Sequence, residues 1–236
     1  MTALSPRDLD RSEILRYLGW RGQALDERLE AQLEEVIELI FQNADPRCQW
    51  QIYPITEAPY GISVPGTVLT LTGESIREHL TGAESAALLA CTLGAGMERL
   101  LSTLSRTAVT KGLIADAAAT EYLEKLCDKA EEEIREKAAQ SGLVPNFRFS
   151  PGYGDLPLEV QPALLGALNA EKLLGITCTE RLLMIPRKSV TAVIGLFAGG
   201  ARHEKKPSCE QCNLKETCSY RRKGLSCGDG YQEADR

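Results

Sequence analysis

Four cysteines near the end of the 236-residue chain carry the clearest chemical spacing. Cys209 and Cys212 form a CxxC pair, Cys218 follows after five intervening residues, and Cys227 after eight more. CxxC lets two thiolates hold one metal from a single turn. Two further thiolates complete a tetrahedral zinc set or the four corners of a 4Fe–4S cluster. Lys215, Arg221, Arg222 and Lys223 would favour the thiolate forms. Few apolar residues lie nearby, so a metal would supply the order of this segment. Spacing alone does not separate zinc from iron–sulfur, and a basic, thiol-containing tail without metal is the plain alternative.

The second chemical stretch is RFSPGYGD, residues 148–155. A connector needs the proline and glycines, but not the arginine and tyrosine. Arg148 offers a fork of donors that matches a carboxylate. Gly152 lets backbone amides approach a ligand, and Tyr153 adds a hydroxyl and a flat face. The structural alternative is a turn with Tyr153 half-buried. Other signals are weaker. The G-x-G of TLGAGMERL has Arg99 where a dinucleotide fingerprint needs its third glycine, so it reads as a tight strand-to-helix turn. His79 reads as a surface residue of a short amphipathic helix, and His203 as a spare ligand beside the tail. KAEEEIREK reads as a solvated helix face with i,i+4 ion pairs.

These stretches need a scaffold. SPRDLDRSEILRYLGW predicts a short helix capped by Asp8 or Asp10 and stopped by Gly19. DERLEAQLEEVIELIFQNA places Leu29, Leu33, Val36, Ile37, Ile40 and Phe41 on one helical face. CQWQIYPI, GTVLTL and the apolar AALLACTLG predict strands. SIREHLTG predicts a helix with Ser75 and Glu78 as capping box. GMERLLSTLSR and the long KGLIADAAATEYLEKLCDKAEEEIREKAAQSG predict helices. FRFS predicts a strand, and Asp155 and Pro157 open a helix that Pro162 splits. TCTERLLMI and KSVTAVIGLF predict a hairpin around Pro186-Arg187. Strands and helices without regular alternation favour α+β: a single domain with a twisted, mainly antiparallel sheet flanked by helices, plus the Cys-rich tail. The composition shift places the boundary between residues 1–198 and 199–236.

A net charge of −6 argues against a nucleic-acid partner. No window is apolar enough for a membrane helix, and the N-terminus lacks the apolar core of a secretory signal. A cytoplasmic location is expected, with the eight cysteines as thiols or metal ligands.

Two stretches together resemble the S-adenosylmethionine-binding activation domain of cobalamin (vitamin B12)-dependent methionine synthase. That family's first signature has arginine, three residues, then Gly-Tyr with proline before the glycine; here these are Arg148, Pro151, Gly152 and Tyr153. Its second is Thr-Glu followed by Met-x-Pro-x-x-Ser-Val; here Thr179, Glu180, Met184, Pro186, Ser189 and Val190. Arg181 stands where a serine is usual. EILRYLGWRG and TLGAGMERLL…DAAATEYLEKL are similar to stand-alone relatives, and the resemblance spans most of residues 10–198.

The resemblance implies reactivation of methionine synthase by reductive methylation of cob(II)alamin, with S-adenosylmethionine as methyl donor. The partner would be the cobalamin-binding module of methionine synthase or another corrinoid protein. Arg148 would pair with the donor's carboxylate, and Pro151, Gly152 and Tyr153 would shape the pocket. Asp116 and Glu121 are candidates to face the sulfonium, and Glu180 to brace the site. A 4Fe–4S cluster on the tail would deliver the electron. The alternatives are an iron–sulfur reductive activator of a corrinoid protein that binds no S-adenosylmethionine, or a docking module with structural zinc.

Overall fold

A computed structural model describes residues 4–20, 22, 24–199 and 216. A 3-10 turn, Pro6–Asp8, precedes α1 (Arg11–Tyr17) and α2 (Glu27–Asn43). Then come β1 (Arg47–Pro54), β2 (Thr56–Ala58), β3 (Gly61–Ser63), β4 (Thr70–Leu71) and α3 (Glu74–Leu80). β5 (Ser85–Thr92) leads into α4 (Gly94–Thr107) and α5 (Val109–Ala139). β6 (Leu143–Pro145) precedes the bend, a 3-10 turn at Leu158–Val160, α6 (Gln161–Ala167) and α7 (Ala170–Leu174). β7 (Thr177–Cys178), β8 (Met184–Ile185) and β9 (Ser189–Ala198) follow.

The main sheet is antiparallel, in the order β1-β5-β9-β6. Its central strands are buried on both faces, which is why β5 reads as a continuous apolar run. Side chains alternate between two cores. Ala87, Leu89, Cys91, Ala192 and Ile194 face α1, α2, α4 and α5. Ala86, Leu88, Ala90 and Val193 face β3, β4, α3, α6 and α7. The alanines of α5, among them Ala115, Ala118, Ala119 and Ala130, are buried without bulk and let the helix lie close to the sheet. The α2 stripe buries Leu33, Val36, Ile37 and Ile40, as its periodicity predicts. Asp10 caps α1 through the amides of Ser12 and Glu13.

The local reading fails where a distant residue or a side chain replaces a local bond. α3 has no capping box: Gly73, at φ 120°, occupies the cap position. Asp155 instead accepts from the Glu74 amide at 2.7 Å and the Ser75 amide at 2.9 Å. The residue expected to open a helix in its own segment thus caps the start of one 80 residues away. Only Thr70–Leu71 of GTVLTL is strand, because Thr67 Oγ1 donates to Val64 O and accepts from the Leu69 amide, holding a turn. The strand expected at FRFS lies earlier, at β6. There the Asn146 side-chain oxygen takes the Gly195 amide, and only Phe149 returns to the edge, opposite Val193. The predicted hairpin does not form. β7 pairs with β8 around a turn with Leu182 at φ 64°, while β9 joins the main sheet. His79 is not a surface residue: its ring lies 4.6 Å from Phe147 and 4.9 Å from Phe149. Burial lowers its pKa to about 4, so it is neutral at pH 7.

Candidate functional site

The bend begins where the sheet edge ends. Phe149 exchanges both backbone hydrogen bonds with Val193. Its ring lies on the α3 side of the sheet, against His79, and alternation sends Arg148 to the other face, over α5. Pro151 and Gly152 (φ 91°) then form the pair that a type II turn requires, closed by the Tyr153 amide on Ser150 O at 3.0 Å. Gly154 (φ 53°) packs against Ser75, where a Cβ would collide with that side chain. Tyr153 is 62% exposed, more open than the half-buried turn reading expects, with its ring edge-on to Phe149 at 6.3 Å.

Asp155 ties the bend to α3. Hydrogen bonds from the Glu74 and then the Ser75 amide hold its carboxyl below the usual aspartate pKa. Its stabilisation is therefore present above the unfolded aspartate pKa and lost as pH falls through the lower folded value. Asp155→Ala is expected to cost about 1 kcal/mol at neutral pH. Urea unfolding of both proteins at neutral and acidic pH checks this, and the difference should vanish in acid.

Arg148 is not in bulk water: its side chain is 21% exposed and three carboxylates of α5 enclose it. Nη1 lies 2.9 Å from Asp128 and 2.6 Å from Glu131, and Nη2 lies 3.0 Å from Glu124. Burial opposes the guanidinium charge, but Glu131, Cys127, Asp128 and Glu124 outweigh it and raise its pKa. Burial also pushes the Glu131 carboxyl up, and Arg148 offsets this in part.

Asp116 and Glu121 are not the acids that meet Arg148. Twelve residues of helix separate Asp116 from Asp128, about 18 Å. Asp116 pairs instead with Lys188 at 3.0 Å, beside the second signature. Glu121, 3% exposed, accepts the Asp10 amide at 3.1 Å and anchors α1 to α5. Burial raises its pKa. Glu180 is exposed in the β7–β8 turn. The second signature leads into β9: Ser189 Oγ lies 2.7 Å from Pro186 O and 2.8 Å from Thr92 Oγ1. Met184 Sδ lies 3.2 Å from Gln161 Nε2, which donates to Thr191 Oγ1 at 2.6 Å. Both signature segments therefore border β9, one at its Ser189 end and one at Val193.

Two shallow clefts lie away from the bend. One is lined by Ile55, Glu57, Ile62 and Leu80, the other by Ser5, Arg7, Glu34 and Glu38. Among the described residues no group of three or more His, Cys, Asp or Glu is arranged to hold a metal ion. No described helix is long and apolar enough to cross a membrane. Cys209, Cys212, Cys218 and Cys227, with His203, lie outside the described residues.

A crystal structure of the MetH reactivation domain bound to AdoHcy matches with a TM-score of 0.64. The match covers 94% of this chain and 83% of that one, at 16% identity. This chain shares the reactivation-domain fold. No protein-family model matches the chain, and no curated protein matches it.

Within the reactivation-domain fold, the residues that sequence reasoning missed are Glu124, Asp128 and Glu131. Their i, i+4, i+7 spacing put them on one helix face, which was the available signal. Glu131 belongs to the run read as solvated, yet its side chain is only 20% exposed because Arg148 covers it.

Proposed function

We propose that this chain reactivates a corrinoid protein, in the first instance cobalamin-dependent methionine synthase, by binding S-adenosylmethionine and supporting reductive methylation of cob(II)alamin on that partner. The observation that carries the reading is the shared fold with a reactivation domain whose structure holds AdoHcy, the demethylated product of such a donor. The two signature segments bordering one strand support it.

The charge balance around Arg148 suits such a ligand. One guanidinium against three carboxylates leaves two negative charges. S-adenosylmethionine carries a carboxylate, an ammonium and a sulfonium, so its net positive charge is attracted there. Its carboxylate would displace one α5 acid from Arg148, and the freed acid would take the ammonium. Pro151 and Gly152 set the turn, and Tyr153 offers a face to the ligand. The chain's part is proximity and orientation of the methyl donor over the partner. One electron and one methyl group are consumed, and S-adenosylhomocysteine is released. Cys209, Cys212, Cys218 and Cys227 would hold the 4Fe–4S cluster that supplies the electron, or a structural zinc.

A second reading is favoured by the enclosure of Arg148: a reductive activator that binds no methyl donor, its arginine serving only α5. Calorimetry with S-adenosylmethionine separates the two. The first expects a binding heat that disappears in Arg148→Ala protein shown by its melting curve to be folded. No heat at millimolar ligand with native protein transfers the case to the second. Iron and sulfide assays on the same anaerobically purified protein identify the metal.

A further inference from the structure

Three buried or half-buried thiols meet where β1 and β5 pass beneath α5, and the proposed reaction uses none of them. Cys48 on β1 and Cys91 on β5 face each other in register. Val193 exchanges both backbone bonds with Phe149 on the β6 side, so by alternation Val190 turns toward β5, and Cys91, its register partner, turns its backbone groups toward β9. On its other side the Cys48–Cys91 pair is therefore a non-hydrogen-bonded one, in which the Cα atoms approach to about 4.5 Å and the side chains lean together. That separation falls at the short end of the range that disulfides span, about 4.4–6.8 Å. Both side chains point to the α5 face, where Cys91 and Cys127 are fully buried and Cys48 packs at the core's edge. Cys48 Sγ lies 3.9 Å from Leu126 O, next to Cys127. All three are free thiols.

We propose that Cys48 and Cys91 are a peroxide-responsive pair that closes to a disulfide and staples β1 to the central strand. Cys48 is the one of the three that is only partly buried, whereas Cys91 and Cys127 are fully enclosed, so a small oxidant has its shortest approach at Cys48. Hydrogen bonds to Cys127 and then Cys48, with burial, push the Cys91 thiol up and keep it protonated, so the first attack falls to Cys48. The Cys48 sulfur takes one oxygen from a hydroperoxide, hydrogen peroxide in the simplest case, giving a sulfenic acid and water. The Cys91 sulfur then displaces hydroxide from that sulfenic acid. The Cys91 proton leaves with the hydroxide as a second water, so two thiols and one peroxide give one disulfide and two waters. Cys127 belongs to the facing layer. It touches the pair without the directly opposed backbone geometry, so it is not the bonding partner.

The chain itself makes the test clean, because Cys48, Cys91 and Cys127 fall in separate tryptic peptides, residues 48–77, 78–99 and 126–129. Native full-length protein is treated with hydrogen peroxide, its remaining thiols are alkylated, and it is digested without reductant and read by mass spectrometry. The expected product is a 48–77 peptide joined to 78–99. It should be lost on dithiothreitol treatment, absent in Cys48→Ala and retained in Cys127→Ala. Alkylated Cys48 and Cys91 in the peroxide-treated native chain would overturn the proposal. So would a link from either of them to Cys127 or to a tail cysteine in place of the expected one. The unsubstituted chain and Cys127→Ala carry the test even if Cys48→Ala does not fold.

Discussion

Arg148→Ala is expected to lower the unfolding free energy by about 2 kcal/mol at neutral pH, whatever becomes of ligand binding. Removing one guanidinium leaves Glu124, Asp128 and Glu131 facing one another with no cation between them. Leaving a fully buried charge unpaired costs about 3–5 kcal/mol. Glu124 and Asp128 are 41% and 53% exposed, so solvent screens part of the penalty, and Glu131 carries most of it. The pH dependence identifies the cause. Glu131 already has a raised pKa in the folded chain, so its protonation on acidification stabilises the fold. Without Arg148 that pKa rises further and the gain begins at higher pH. The deficit of the variant should therefore shrink as the pH is lowered from neutral into the acidic range. Urea unfolding across this range checks it. A deficit that stays constant or grows in acid would mean that the carboxylates are not its source.

Gly96→Ala is expected to cost more, about 3 kcal/mol. Gly96 lies in the first turn of α4, and a Cβ there would collide with the carbonyl oxygen of Asn43, at the end of α2. A backbone atom cannot move aside as a flexible side chain can, so the two helices must separate. Neighbouring Gly94 has a different reason: its φ of 79° makes the turn out of β5, with Asp45 close beside it. The G-x-G therefore makes the tight turn that the missing third glycine suggested, at Gly94, and also a helix crossing that the sequence did not announce, at Gly96. A fall in thermal midpoint of several degrees tests the prediction. An unchanged midpoint would contradict the close approach.

Those two positions mark how far sequence reasoning reaches. The α2 stripe, the β5 apolar run and the alanine-rich length of α5 were legible because each rests on a local period that burial on one or both faces imposes. The PGYG turn was legible for the same kind of reason, since proline and a positive-φ glycine specify it within four residues. The acids around Arg148 were not. Their spacing marks a helix face, but nothing local says that a residue from the sheet edge will lie across it. The partner of Asp155 was equally hidden. An aspartate two residues ahead of a proline is a good local cap, and only the packing of the bend on α3 gives its carboxylate two better donors. Cys48 and Cys91 are 43 positions apart, and strand register alone makes them neighbours. The chain thus determined its elements, their buried faces and its main turn by short-range sterics and hydrophobic period. The tertiary structure decided which charges, caps and thiols meet, because contacts between distant segments depend on register and layer packing that no local window contains.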